Sequence, residues 1–231
     1  MKRKVITTSD GSKTIQIEDW NEQYHSVHGA IQEANHVFLK HGLLFYFQEI
    51  FKKTENLKGQ ESVSILEIGF GTGLNAFLTL LEAEQLNLHI DYVGVEAFPV
   101  KQEEINQLNY VSLISKAHKS QFDLLHQSTW ESQHKISKYF QLEKQKIDFN
   151  QITASNQFNI IYFDAFGARV QPELWTESIF EIMYKALRSN GVLVTYSAKG
   201  SVRRAMESVG FTVERLPGPP GKREMLRAQK N

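Results

Sequence analysis

The chemistry-bearing residues of this 231-residue chain gather at the ends of short apolar runs. One such place is Glu67-Ile68-Gly69-Phe70-Gly71-Thr72-Gly73, between the run SVSIL and the helix-like stretch LNAFLTLLEAEQL. Glycines at this spacing permit a tight strand-to-helix turn and close approach of a ligand to the backbone. Gly71, Gly73 and Ala76 also satisfy the G-x-G-x-x-A pattern, so a nicotinamide or flavin oxidoreductase is one reading. Glu67 favours another. A carboxylate two residues before the first glycine can hold the amino-acid end of S-adenosylmethionine, directly or through water. A pyrophosphate there would meet like charge. The bland alternative for Glu67 is a solvated strand-end carboxylate.

Three further acids stand at comparable places. Glu96 ends VGVE and can accept both hydroxyls of a ribose, in either cofactor class. Asp148 in KIDFNQ, or Asp123 in its stead, is the candidate for the adenine amino group. Asp164 closes the apolar run NIIYFD, on the ligand side of a parallel sheet. There it can orient an amine for in-line attack on a methyl group and favour loss of the amine's proton. Phe166, Tyr162, Trp175 and Phe70 are candidate walls, though each aromatic taken singly also suits a core.

The elements that must hold these residues follow from periodicity. Residues 1–24 predict a strand pair, VITTSDG and KTIQIED, turning at Asp10-Gly11. Residues 25–53 read as helix, with Gly42 expected to divide it into two, and 54–61 as a polar linker. From Ser62 strand and helix alternate, the opening of a parallel α/β sheet. A helix is expected from Pro172 to Leu187, and FTVERLPG and REMLRAQ predict a closing antiparallel hairpin. Residues 111–150 are polar and helical in tendency, with Trp130, Tyr139 and Phe140 as packing points. The expected architecture is α/β and Rossmann-like: about seven mostly parallel strands over residues 61–231, a C-terminal hairpin, and an N-terminal elaboration over 1–60.

Composition narrows the classes. Cysteine is absent, which removes disulfides and thiolate chemistry, and no histidine pattern marks a metal site. No run approaches the apolar length of a membrane span and no signal-peptide core follows the first residues, so a cytoplasmic protein is expected. Net charge is zero, yet residues 199–231 carry eight basic and three acidic side chains, enough for a local phosphate-binding face.

Several segments together resemble one family. These are WNEQYHSVHGAIQEANHVFL at 20–39, EIGFGTGLN at 67–75, VEAFP at 95–99, FDAFGARVQPELWT at 163–176, TYSAKGSVRRAMESVGF at 195–211 and GKREML at 221–226. They are similar to the methyltransferase domain of the bifunctional tRNA wobble-uridine modification enzymes of the MnmC type. The resemblance implies transfer of a methyl group from S-adenosylmethionine to the aminomethyl nitrogen of uridine 34 in the tRNA anticodon. It carries Glu67, Gly69, Gly71 and Gly73 onto the cofactor loop and Glu96 onto the ribose acid. Asp164 falls on the acid beside the substrate amine. Tyr24, Ser26, Gly29 and Glu33 fall on the segment lining the cofactor region, and Lys222 and Arg223 on a basic pair of the last strand. Full-length bacterial members add an FAD-dependent oxidase domain that supplies the amine. This chain ends before any such domain, so the expectation is a stand-alone methyltransferase, with a separate amine-generating oxidase as its partner, or a more divergent relative. Two positions depart from the pattern. Val170 stands where the family has lysine, with Arg169 adjacent, and Ala97 replaces the lysine of VEKFP. Both bear on the acceptor, which leaves another amine substrate open, and neither touches the cofactor loop.

Overall fold

The computed structural model describes residues 2–51 and 62–231; the polar linker and the boundary at residue 60 lie outside the described residues. The N-terminal part opens with β1 (Arg3–Thr7) and β2 (Lys13–Ile17), paired antiparallel across Asp10-Gly11, and a short β3 (Glu22–Gln23) completes a three-stranded sheet. Asp10 fixes the turn by accepting hydrogen bonds from Thr8 Oγ1 and the Ser12 amide. Arg3 then ties this hairpin to the rest of the molecule, donating to the carbonyls of Phe98 and Pro99.

The helix that follows is continuous, not divided. α1 (Ala30–Ala34) runs directly into π-helical turns over Asn35–Leu44 and Tyr46–Phe51. Gly42 lies inside it, and the reason is packing. A Cβ at that position would come within 3.0 Å of Tyr162 and Val194, so the absence of a side chain lets the helix lie directly on the sheet.

That sheet has eight strands in the order β10-β11-β9-β8-β4-β5-β7-β6. The strands are β4 (Ser62–Ile68), β5 (His89–Val95), β6 (Gln133–Lys135), β7 (Phe140–Gln145), β8 (Phe158–Phe163), β9 (Leu187–Thr195), β10 (Thr212–Pro217) and β11 (Glu224–Gln229). The pairs from β7 through β5, β4 and β8 to β9 are parallel; β6 and β11 run antiparallel to their neighbours. β6 and β7 emerge from the polar stretch that reads as helical in sequence. The helices are α2 (Leu74–Leu86), α3 (Gln102–Ile105), α4 (Tyr110–Ile114), α5 (Lys119–Gln127), α6 (Glu177–Ala186) and α7 (Gly200–Ser208). The helix expected from Pro172 is split: Pro172–Trp175 forms a 3-10 turn and Thr176, in extended conformation, restarts the chain as α6.

Both faces of the sheet are covered, which is why β8 is buried at every residue and β4 at five of seven. Phe38, Phe77, Tyr92, Phe140 and Tyr162 pack on one face; Phe163, Trp175, Phe180 and Met206 pack on the other. β4 leads to β5 on one side, and the chain later returns to place β8 on the other. The crevice outside the ends of β4 and β8 is therefore the topological switch point, where such sheets bind ligands. Among the described residues no helix is long and apolar enough to cross a membrane.

Candidate active site

A cavity of about 810 Å³ opens at this switch point, within the size range of small-molecule sites. Its floor is the glycine loop. Gly69 has φ 91°, and a Cβ there would lie 2.7 Å from the carbonyl oxygen of Asp164, so only glycine permits the close approach of the two strand ends. The Asp164 amide donates to the Ile68 carbonyl at 2.9 Å, and the amides of Gly69 and Phe70 both donate to the Val95 carbonyl at 3.0 Å. Three strand ends are thus stitched to one loop.

Glu96, one residue beyond β5, lines the cavity. Its Oε2 accepts from the Gly71 amide at 3.1 Å and its Oε1 from the Phe98 amide at 2.9 Å. Burial pushes this carboxyl above its ordinary range, and the two amides pull it back. An anion held by two backbone donors has a fixed direction, as ribose recognition requires. Asp148 also lines the cavity, at the N-terminus of a one-turn helix after β7. Asp123 does not; it lies on α5, paired with Lys119. The structure thereby separates the two adenine candidates.

Asp164 lines the cavity beside the loop. Burial, reinforced by the charge of Glu33, pushes its carboxyl up to about 7, against the opposing pull of Asn75 and Lys222. Glu67 is placed differently from the expectation. It is 1% exposed, lies beneath the loop, and does not line the cavity. Its Oε1 accepts from Asn75 Nδ2 at 2.9 Å, and the same nitrogen donates to Asp164 Oδ2 at 2.9 Å. Burial holds Glu67 well above the ordinary carboxylate range.

The N-terminal segment forms the opposite wall. Tyr24, Ser26 and Glu33 line the cavity, and Glu33 Oε2 accepts from the Ser26 amide at 2.7 Å. Lys222, from the turn between β10 and β11, ion-pairs with Glu33 and sits 3.7 Å above the Tyr196 ring. Phe166 packs edge-on against Tyr24 at 4.9 Å and Trp20 at 5.7 Å between ring centres. His25 donates or accepts at Thr14 Oγ1, 2.9 Å away, and burial lowers it to about 4, so it is neutral at physiological pH.

Other expected site residues take supporting places outside the cavity lining. Trp175 is buried against Phe163 and Phe180, and its indole donates to the Phe166 carbonyl at 2.8 Å, steadying the wall from behind. Tyr162 is core. Phe70 packs against His126 and Trp130 on the far side of the loop, and Thr72 is buried against the Tyr110 hydroxyl. Gly73 serves as the left-handed residue preceding α2. Arg169 is turned to Glu22, with which it pairs at 2.8 Å, and Arg223 is exposed. Conversely Arg3, Trp20, His25 and Tyr196 line the cavity without having been singled out by pattern, and Asn75 links two of its acids. Asn75 sits inside the EIGFGTGLN segment and Tyr196 directly follows β9, so position at strand ends was the available signal.

The residues present suit S-adenosylmethionine. The cradle that a Cβ at Gly69 would fill, the amide-fixed Glu96 and the acids Glu33 and Asp164 match a ligand carrying a ribose and cationic groups. A pyrophosphate would meet Glu96, Asp148 and Asp164, while Arg3 and Lys222 in the lining are paired with Glu104 and Glu33.

Comparison with known proteins agrees. The chain is 28% identical over 222 residues to the tRNA 5-methylaminomethyl-2-thiouridine biosynthesis bifunctional protein MnmC of Leptospira interrogans, covering 90% of this chain and 32% of that one. It is 30% identical over 225 residues to the protein of the same name from Idiomarina loihiensis, covering 90% and 35%. The chain thus spans about a third of the length of these curated relatives. Among solved structures, MNMC2 from Aquifex aeolicus superposes with a TM-score of 0.78 at 24% identity, covering 100% of this chain and 70% of that one. A spermidine synthase superposes at 0.54 with 16% identity, covering 98% and 74%, a likeness of fold. The family model for S-adenosyl-L-methionine-dependent methyltransferases matches residues 112–231, and with the cavity acids and glycine loop as described, the chain belongs to that family.

Proposed function

We propose that the protein transfers a methyl group from S-adenosylmethionine to the aminomethyl nitrogen of a tRNA wobble uridine. The observation that carries this reading is Asp164: a carboxyl group just past the end of β8, lining the cavity that Tyr24, Phe166 and Tyr196 also line. The relatives, whose name specifies 5-methylaminomethyl-2-thiouridine biosynthesis, support this choice of acceptor. The tRNA anticodon region is the proposed partner, and an oxidase activity is the proposed source of the amine.

The placement of the lining residues supports the following roles. Glu96 holds the ribose and Asp148 the adenine. Tyr24, Ser26 and Glu33 border the amino-acid end, with the glycine backbone of Gly69 and Gly71 beneath. When bound, the cofactor supplies an electrophilic methyl on a sulfonium. Asp164 would accept a hydrogen bond from the incoming amine, align its lone pair, and take its proton as the carbon–nitrogen bond forms and the methyl carbon–sulfur bond breaks, the sulfur leaving as the neutral thioether of S-adenosylhomocysteine. A carboxyl raised to about 7 is suited to that exchange near neutral pH. Phe166, Trp20 and Tyr24 offer aromatic edges and faces to a planar base.

Nucleoside analysis of tRNA from cells lacking the gene tests the acceptor. Accumulation of the aminomethyl nucleoside with loss of its methylated form is expected. An unaltered wobble-uridine profile would redirect the search to another amine.

A further inference from the structure

Asp164 is held from beneath by one side chain. Asn75, the second residue of α2, is 2% exposed and lies outside the cavity lining. Its Nδ2 reaches Glu67 Oε1 and Asp164 Oδ2 at 2.9 Å each. An amide nitrogen carries two hydrogens, so both are used on carboxyl groups. Glu67 belongs to β4 and Asp164 follows the neighbouring parallel β8, so the amide spans the switch point itself. Asn75 Oδ1 is buried with no hydrogen-bond partner among the described residues. An orphaned buried acceptor carries a cost. The opposite flip would cost more, because it would aim a carbonyl oxygen at two acids.

We propose that Asn75 is a positioning residue for methyl transfer: it anchors Asp164 by Oδ2, leaves the other oxygen for the amine, and with its second hydrogen keeps Glu67 from turning toward the same place. The proposal rests on reading Asp164 as the acid that meets the acceptor. Asp164 is faced by Glu33 from the N-terminal helix, Lys222 from the β10–β11 turn, Glu67 from β4, Tyr92 from β5, Tyr110 from α4 and Tyr196 after β9. Burial pushes both carboxyls that Asn75 bridges upward, and on each of them the hydrogen bond from the Asn75 amide pulls the other way, toward the ionised form.

Three proteins test this: wild type, Asn75→Ala, and Asn75→Ser, which restores a short donor. The first readout is a carbon-13 NMR titration of aspartate side-chain carboxyls in the free proteins, with Asp164→Asn identifying the resonance. Asn75→Ala should move the Asp164 midpoint upward from about 7, and Asn75→Ser should return it part of the way. The second readout is kcat against pH. The alanine variant should lose roughly tenfold or more near neutral pH, as expected for losing a hydrogen bond to a charged group, with its profile displaced the same way and cofactor-product affinity nearly unchanged. A folded alanine variant with an unmoved midpoint, or a serine variant no closer to wild type than alanine, would overturn the proposal. The titration needs no acceptor. A displaced midpoint in a protein inert toward RNA would retire the acceptor and leave Asn75 in its assigned role.

Discussion

Replacing Asp164 by asparagine removes a charge while keeping the shape and the acceptor that Asn75 needs. Its effect on stability follows from the raised carboxyl. Asp164 stands at about 7 in the folded protein against its ordinary 3.8. The folded state therefore holds a proton that the unfolded chain has lost over that interval. Stability from this residue is intact below 3.8 and falls as pH rises toward about 7, where the loss is complete. Integrated between pH 5 and pH 8, the wild type should lose about 2–3 kcal/mol that Asp164→Asn does not. Glu96, also raised, acts in both proteins, whereas Glu67 is raised in part by the charge of Asp164, so its own loss eases in the variant and adds in the same direction. Urea denaturation of both proteins at the two pH values measures this directly, provided the m-values agree. The variant should gain on the wild type at pH 8 and be inactive in methyl transfer, a stability–activity trade at a single carboxyl. Stability curves that run parallel between pH 5 and pH 8 would refute the premise that Asp164 is buried and raised.

Other perturbations separate the roles of neighbouring residues. Glu96→Ala should weaken binding of S-adenosylhomocysteine about tenfold or more, read by calorimetry, because the variant loses a carboxylate fixed by two amides; unchanged affinity would remove Glu96 from the ribose. Asp164→Ala should reduce methyl transfer far more than cofactor binding; equal loss of both would make Asp164 a cofactor contact. Gly42→Ala should destabilise the fold by about 1–3 kcal/mol in urea denaturation, because its Cβ would arrive 3.0 Å from Tyr162 and Val194; a neutral result would mean that the helix can lift from the sheet.

Much of the fold is legible because its elements obey simple patterns. The apolar runs at β4 and β8 mark strands buried on both faces, and Asp10-Gly11 marks a hairpin. β7 hides because its sequence FQLEKQ includes a lysine that behaves as core. Lys144 is 2% exposed, its Nζ lying 5.0 Å from the Trp130 ring centre and 5.9 Å from that of Phe70 and donating to the His126 carbonyl at 2.8 Å. Gly42 reads as a breaker because local propensity says nothing of a sheet pressed against it. In the site, the acids are legible as strand-end carboxylates, but their exposure to the cavity is not. Sequence puts both Glu67 and Asp164 at the ligand; the register of β4 on β8, with Asn75 between them, buries Glu67 and presents Asp164. Trp175 and Arg169 follow the same logic, since a conspicuous side chain near a site can spend itself on a carbonyl or an ion pair.

The most direct test of the account is transfer of labelled methyl from S-adenosylmethionine to purified tRNA bearing an aminomethyl wobble uridine, alongside the same tRNA without that modification. The account predicts label on the modified tRNA alone, recovered as the methylaminomethyl nucleoside and abolished by Asp164→Asn. No transfer by well-folded, cofactor-binding protein, or equal labelling of both tRNAs, would contradict it.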